Sequence, residues 1–178
     1  MKKFVVLVAV VLTCSMAAMA AEGTVAEAFA GYQFFHLDTQ GASGVKTGYS
    51  GWDGALQYNL GGRFGLVGDV SGNYGTPFTG SPSVSSYTFA FGPSVNFRAE
   101  KTKPFIHALV GGNRLASGGV SETAFAMLLG GGVDVKAMRG VWLRLGQFDY
   151  MYTKHDSTFG FTGHQNNFRY SAGVVFHL

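Results

Sequence analysis

His155-Asp156-Ser157 carries the residue types of acyl hydrolysis: an imidazole base, a carboxylate and a hydroxyl nucleophile. A serine becomes a nucleophile only when a base takes its proton and a third group orients that base. No Glu occurs after Glu122, and beyond His155 the only acid is Asp156 itself, so the motif reads as incidental. His36, His107, His164 and His177 stand singly, without the spacing of metal ligands. They suit hydrogen-bonded or rim positions better than a metal centre. Glu27, Asp53, Arg63, Asp69, Arg98, Asp134, Lys136, Arg144, Asp149 and Arg169 share the polar faces of alternating segments. Paired carboxylates among them could act as acid and base, but the near balance of signs fits an internal salt-bridge network better. Gly130-Gly131-Gly132 lies within a strand-like segment, so it reads as close backbone packing or a kink rather than a phosphate loop. No catalytic, cofactor-binding or metal-ligand set is therefore expected.

The elements that must position these residues are strands. Alternation and breakers divide the chain into eight segments, roughly 25–36, 48–58, 62–74, 85–98, 104–115, 123–136, 141–152 and 166–178. In the fourth, Tyr87, Phe89, Phe91, Pro93, Val95 and Phe97 oppose Thr88, Ala90, Gly92, Ser94, Asn96 and Arg98. Strand side chains alternate with period two, so one face is apolar and the other small or polar. The fifth segment is less clean, with His107 and Asn113 on the face of Phe105 and Leu109. The seventh changes phase between Leu145 and Phe148, which a β-bulge near Gly146-Gln147 would repair.

Connections alternate in kind. Those at 59–62, 99–103 and 137–140 are short, whereas 37–47, 75–84, 116–122 and 153–165 are longer and rich in Gly, Ser, Thr and Asp. The pattern predicts an all-β fold, an eight-stranded antiparallel up-and-down transmembrane β-barrel. About ten tilted residues per strand cover the ~25 Å apolar band of an outer membrane. A soluble barrel would have the same period with the apolar face inside. Gly, Ala and Ser on the polar face, few lysines, and aromatics near strand ends (Tyr58, Tyr74, Phe97, Tyr152) favour apolar-out.

Composition agrees. Charged residues are 13% and aromatics 15% of the 178 residues, against ~25% charged in ordinary soluble domains. Two of the 13 basic residues are Lys2 and Lys3, so 11 face 10 acidic ones in the remainder. With no basic run besides, no nucleic-acid partner is expected. Lys2 and Lys3, the apolar run Phe4–Leu12 and the small-x-small site Ala18-Met19-Ala20 form a signal peptide over 1–20, leaving 21–178 as the barrel domain. The one cysteine, Cys14, lies within that signal, so no disulfide framework follows. Its neighbour Thr13 does not suit lipidation.

The final residues, Ser171-Ala-Gly173-Val-Val-Phe176-His-Leu178, read polar-x-Gly-x-x-aromatic-x-hydrophobic. This resembles the β-signal by which outer-membrane barrels are recognised for assembly, although Leu178 stands where Phe or Trp is more common. Together with the alternating segments, Gly130-Gly-Gly-Val-Asp134 and Arg144-Leu-Gly-Gln-Phe-Asp-Tyr150, it makes 21–178 resemble the small eight-stranded OmpA, OmpX and opacity-type outer-membrane barrels. The resemblance implies a monomer in the cell outer membrane, assembled by the barrel machinery and periplasmic chaperones. It would contact outer-membrane lipid and lipopolysaccharide. A plugged lumen and an adhesion or envelope-integrity role through the loops are expected. Tyr49, Lys46, Phe78, Lys154, Phe159 and Phe161 lie in or beside those loops. No periplasmic peptidoglycan-binding domain is expected. The alternatives are a lipid A acyl hydrolase, whose family carries a His-x-Ser motif with an acidic partner, and a passive transporter of small apolar molecules.

Overall fold

The computed structural model describes residues 26–36, 48–76, 83–97, 99–155 and 163–178. They form β1 (Ala26–His36), β2 (Gly48–Gly61), β3 (Phe64–Gly75), β4 (Val84–Asn96), β5 (Thr102–Ser117), β6 (Val120–Met138), β7 (Val141–His155) and β8 (Gly163–His177). Each strand pairs antiparallel with the next, and β8 closes onto β1 through pairs running from Glu27↔His177 to His36↔Phe168. Closure leaves every strand with two neighbours, which satisfies the backbone groups that lipid cannot.

The alternation resolves into an apolar exterior and a polar interior. On β4, Tyr87, Phe89 and Phe91 point out while Ser86, Thr88, Ala90 and Ser94 are buried. Phe91 is 69% exposed and Phe148 68%, whereas Ser171, Gln33 and Asp134 are fully buried. That polarity is the reverse of a soluble barrel's and matches a surface that meets hydrocarbon. No register pair joins β4 and β5 at Gly92 or Pro93, where proline brings no N–H to the ladder.

β5 departs from the simple alternation because both of its faces are partly apolar. Phe105, Leu109 and Leu115 point inward beside Lys103, His107 and Asn113, while Ile106 and Val110 meet the outside. Leu109 belongs to an interior apolar cluster with Phe35, Tyr49, Val67, Ala90, Ala126, Leu128 and Met151. The bulge expected in the seventh segment is present. Register shifts on β7 between Arg144 and Gln147 in its pairing with β8, and on β6 between Val133 and Asp134 in its pairing with β7. The extra residue returns Gln147, Asp149 and Met151 to the inward face occupied by Arg144.

Two connections differ from expectation. The long loop predicted at 116–122 is a two-residue turn, Gly118–Gly119, with β5 and β6 paired as far as Ser117↔Val120. Both glycines have positive φ, 58° and 87°, as a tight hairpin turn requires and as glycine adopts freely. Polar composition alone suggested a loop; cross-strand pairing extended the strands through it. Likewise β7 and β8 pair out to His155↔Gly163, which shortens the last connection.

Exterior and interior substitutions on β4 should separate sharply. Phe91→Arg places a charge where lipid meets the wall and should cost about 2–4 kcal/mol. Ser94→Ala removes an inward hydroxyl that donates to Gln57 Oε1 at 3.3 Å and should cost about 1 kcal/mol. Urea unfolding of protein refolded into lipid vesicles measures both. A larger loss for Ser94→Ala would exchange inside and outside.

Candidate functional site

Apart from Asp53, the charged residues of the interior form one connected chain of contacts. Nearest the short-turn end, Lys103 ion-pairs with Glu27 and lies 3.4 Å from Asp134 Oδ2. Arg144 donates from Nε and Nη2 to the two oxygens of Asp134 at 2.8 and 3.2 Å. Its guanidinium carbon sits 4.3 Å from the ring centres of both Phe29 and Phe105, so aromatic faces stabilise the buried cation. Arg144 Nη1 then donates to Gln147 Oε1 at 2.6 Å, and Gln147 Nε2 donates to Asp149 Oδ2 at 2.8 Å. Gln147 is thus the neutral link between two charged clusters.

Arg169 centres the second cluster. It donates from Nη1 and Nη2 to Asp69 at 2.8 and 2.9 Å, from Nε to Asp149 Oδ2 at 2.7 Å, and from Nη1 to Ser71 Oγ at 3.3 Å. His107 Nε2 lies 2.7 Å from Asp149 Oδ1, placing an imidazole N–H against the carboxylate. The planar fork of Arg suits this two-carboxylate bridge in a way a lysine could not. Gly130, the register partner of Asp149, makes room for it: a Cβ there would collide with Asp149 Oδ1 and the Phe148 carbonyl.

Asp53 stands apart. It is buried beside its register partner Ser71 and within electrostatic reach of Arg169, but neither carboxylate oxygen makes a hydrogen bond of good geometry. Among the described residues, the buried acids Glu27, Asp53, Asp69, Asp134 and Asp149 face only Lys103, Arg144 and Arg169, with His107 beside them. The interior is therefore richer in acids than in permanent cations.

Seven of the ten expected interior charges are found there. Arg63 and Lys136 are instead exposed. Arg63 lies in the β2–β3 turn, and Lys136 shares Asp134's parity but stands at the rim, beyond the last charged layer. Arg98 lies outside the described residues. Two interior participants were not anticipated. Lys103, expected in a turn, is the second residue of β5, and His107 was masked by its apolar neighbours. The parity Lys103-Phe105-His107 was the available signal. Tyr49, expected beside a surface loop, is buried in the apolar cluster. Lys154 is exposed near the end of β7. Lys46, Phe78, Phe159 and Phe161 lie outside the described residues, as do Asp156 and Ser157 of the tripeptide. His36 is exposed, and His177 stacks on Trp142 with ring centres 5.0 Å apart.

This arrangement fills the described interior with paired side chains. A cavity lined by Glu27, Gln57, Asp69, His107, Arg144 and Gln147 has a volume of only about 10 Å³, near the space for a single water. The lining acids are engaged with cations, and Ser71 accepts from Arg169 rather than facing a base.

The two types of acid should respond unequally to neutralisation. Arg169→Met leaves Asp69 and Asp149 buried without their cation and should cost about 3–5 kcal/mol. Asp53→Asn removes a buried charge that forms no direct ion pair, although Arg169 lies within electrostatic reach, and should cost much less than Arg169→Met. Urea midpoints of the refolded variants test the pair, and a large loss for Asp53→Asn would show that its charge is compensated.

No family model and no curated protein sequence matches the chain. Solved structures do match. The chain is similar to Neisserial surface protein A (NspA), with TM-score 0.68 and 17% identity over 88% of this chain and 100% of that one. It is similar to OprG from Pseudomonas aeruginosa, with TM-score 0.55 and 10% identity over 85% of this chain and 94% of that one. The attachment invasion locus protein Ail of Yersinia pestis matches at TM-score 0.52 and 17% identity, over 85% of this chain and 97% of that one. Closed eight-stranded topology, apolar exterior and these likenesses agree: the chain has the fold of the small eight-stranded outer-membrane β-barrels.

Proposed function

We propose that residues 1–20 export the protein, and that 21–178 insert in the outer membrane as a monomeric, plugged anchor for a contact surface at the long-loop end. The observation that carries this reading is the inverted polarity of the barrel. Its wall presents aromatic and aliphatic side chains outward, and its interior is filled by the Glu27-to-Asp69 charge chain. A wall of that kind is soluble only in lipid, and a filled interior leaves binding to the ends.

Structural neighbours support a surface-interaction role over catalysis. NspA is described as a surface protein and Ail as an attachment invasion locus protein, the latter also solved with the heparin analogue sucrose octasulfate. On this reading the protein is not an enzyme and carries no cofactor. Its physiological partner is an extracellular or lipopolysaccharide ligand met by the loops. The C-terminal motif directs insertion through the barrel assembly machinery and periplasmic chaperones.

Three measurements test the reading. In planar bilayers the folded protein should give no steady conductance, because the charge chain leaves about one water's space; stable open-channel steps would replace the anchor with a transporter. Deleting Phe176-His177-Leu178 should abolish outer-membrane insertion, as seen by loss of the heat-modifiable form in cell fractions. His155→Ala and Ser157→Ala should leave the acylation pattern of lipid A unchanged on overexpression. A lipid A species made by the wild type and missing with either substitution would establish a hydrolase.

A further inference from the structure

Among the described residues, exposed bases are more numerous at the short-turn end of the barrel than at the other. At the short-turn rim, Arg63, Lys101, Lys136 and Arg139 are all exposed, and Glu100 is the one acid beside them among the described residues. At the opposite end, the exposed bases of the described residues are Arg114 and Lys154, and Arg114 donates to Ser121 Oγ at 3.0 Å.

The basic rim is a built arc. Backbone hydrogen bonds stitch its turns together: Asn96 N donates to Arg63 O at 2.7 Å, Lys136 N to Lys101 O at 2.9 Å, and His177 N to Gly140 O at 2.9 Å. Bases from three successive turns are therefore held on one continuous backbone edge, despite their mutual repulsion.

The arc also sits where the apolar wall ends. Leu60, Phe64, Phe97 and Met138 are exposed along that boundary. The Arg63 guanidinium lies 5.9 Å from the Phe97 ring centre. Apolar and aromatic side chains in hydrocarbon, with cations immediately beyond, place positive charge at the depth of lipid phosphates. A soluble polyanion would satisfy the charge but has no use for the adjoining apolar boundary.

We propose that the short-turn rim is a binding arc for anionic phospholipid headgroups of the leaflet that it faces, with Arg63, Lys101, Lys136 and Arg139 contacting their phosphates. The proposal rests on the reading that the barrel is membrane-inserted. Bound headgroups neutralise the arc and set the depth and tilt of the barrel.

The test is native mass spectrometry of the folded barrel released from vesicles that mix phosphatidylcholine and phosphatidylglycerol. Wild type should retain phosphatidylglycerol over phosphatidylcholine by at least about tenfold, given the attraction of several bases to an anionic surface. The preference should collapse at about 0.5 M salt, where charges are screened within a few ångströms. Replacing all four bases with Gln should abolish it, while Arg114→Gln with Lys154→Gln should leave it intact. If the fourfold variant fails to fold, Arg139→Glu alone, in an exposed turn, should lower the preference severalfold. Equal retention of the two lipids by the wild type, or loss only in the Arg114/Lys154 variant, overturns the proposal. Displacement of the lipid by soluble inositol hexakisphosphate without any effect of the apolar boundary variant Phe64→Ser would assign the arc to a soluble polyanion instead. A wild type that never becomes heat-modifiable in either lipid defeats the membrane reading itself, which separates that failure from failure of the arc.

Discussion

Arg169 lies at the centre of the barrel, fully enclosed, and bridges carboxylates contributed by β3 and β7 from its own position on β8. A guanidinium in that place would be very costly if unpaired, so Asp69 and Asp149 must both be present and correctly aimed. Their aim depends on the bulge in β7, on the space beside Gly130, and on closure of β8 against β1. Buried ion pairs are weak evidence for stability in themselves, because desolvation offsets much of the attraction. What they impose is register: a one-residue slip of any contributing strand would turn its charge out to the apolar side.

The same constraint organises the rest of the interior. Gln147 passes the network from Asp149 to Arg144, and Arg144 carries it to Asp134, Lys103 and Glu27. Charges from β1, β3, β5, β6, β7 and β8 are thereby tied into one unit. Toward the long-loop end the filling changes to Leu109, Leu128, Met151 and their neighbours. The described interior is thus filled in two ways, by ion pairs and by apolar packing. Among the described residues the short-turn rim is basic, while five of the seven acids are buried inside.

Strand number, closure order, outward aromatics and most interior charges were legible in the sequence, because a period-two pattern is local and survives in any antiparallel barrel. The β7 bulge was legible for the same reason, as a phase change between Leu145 and Phe148. Legibility failed where composition and position compete. Gly118–Gly119 looked like part of a long loop because Gly and Ser are loop residues, yet pairing of β5 with β6 extended both strands through that region. Lys103 looked like a turn residue because it follows Glu100 and Lys101, and His107 was hidden between Phe105 and Leu109. Arg63 and Lys136 had the right parity or neighbourhood for the interior, but they lie beyond its last layer.

By itself, then, the sequence determined the inverted barrel: alternating apolar and small polar side chains admit few other folds when no long apolar helix segment is available. Only the tertiary structure decided which charges meet. Arg169 and Asp69 are 100 residues apart in sequence, and their contact depends on strand tilt, the bulge and the order of closure. Alternation says which side of the wall a residue faces, but height along the barrel axis is set by register with distant strands. That height separates the buried pairs of the interior from the exposed bases of the rim.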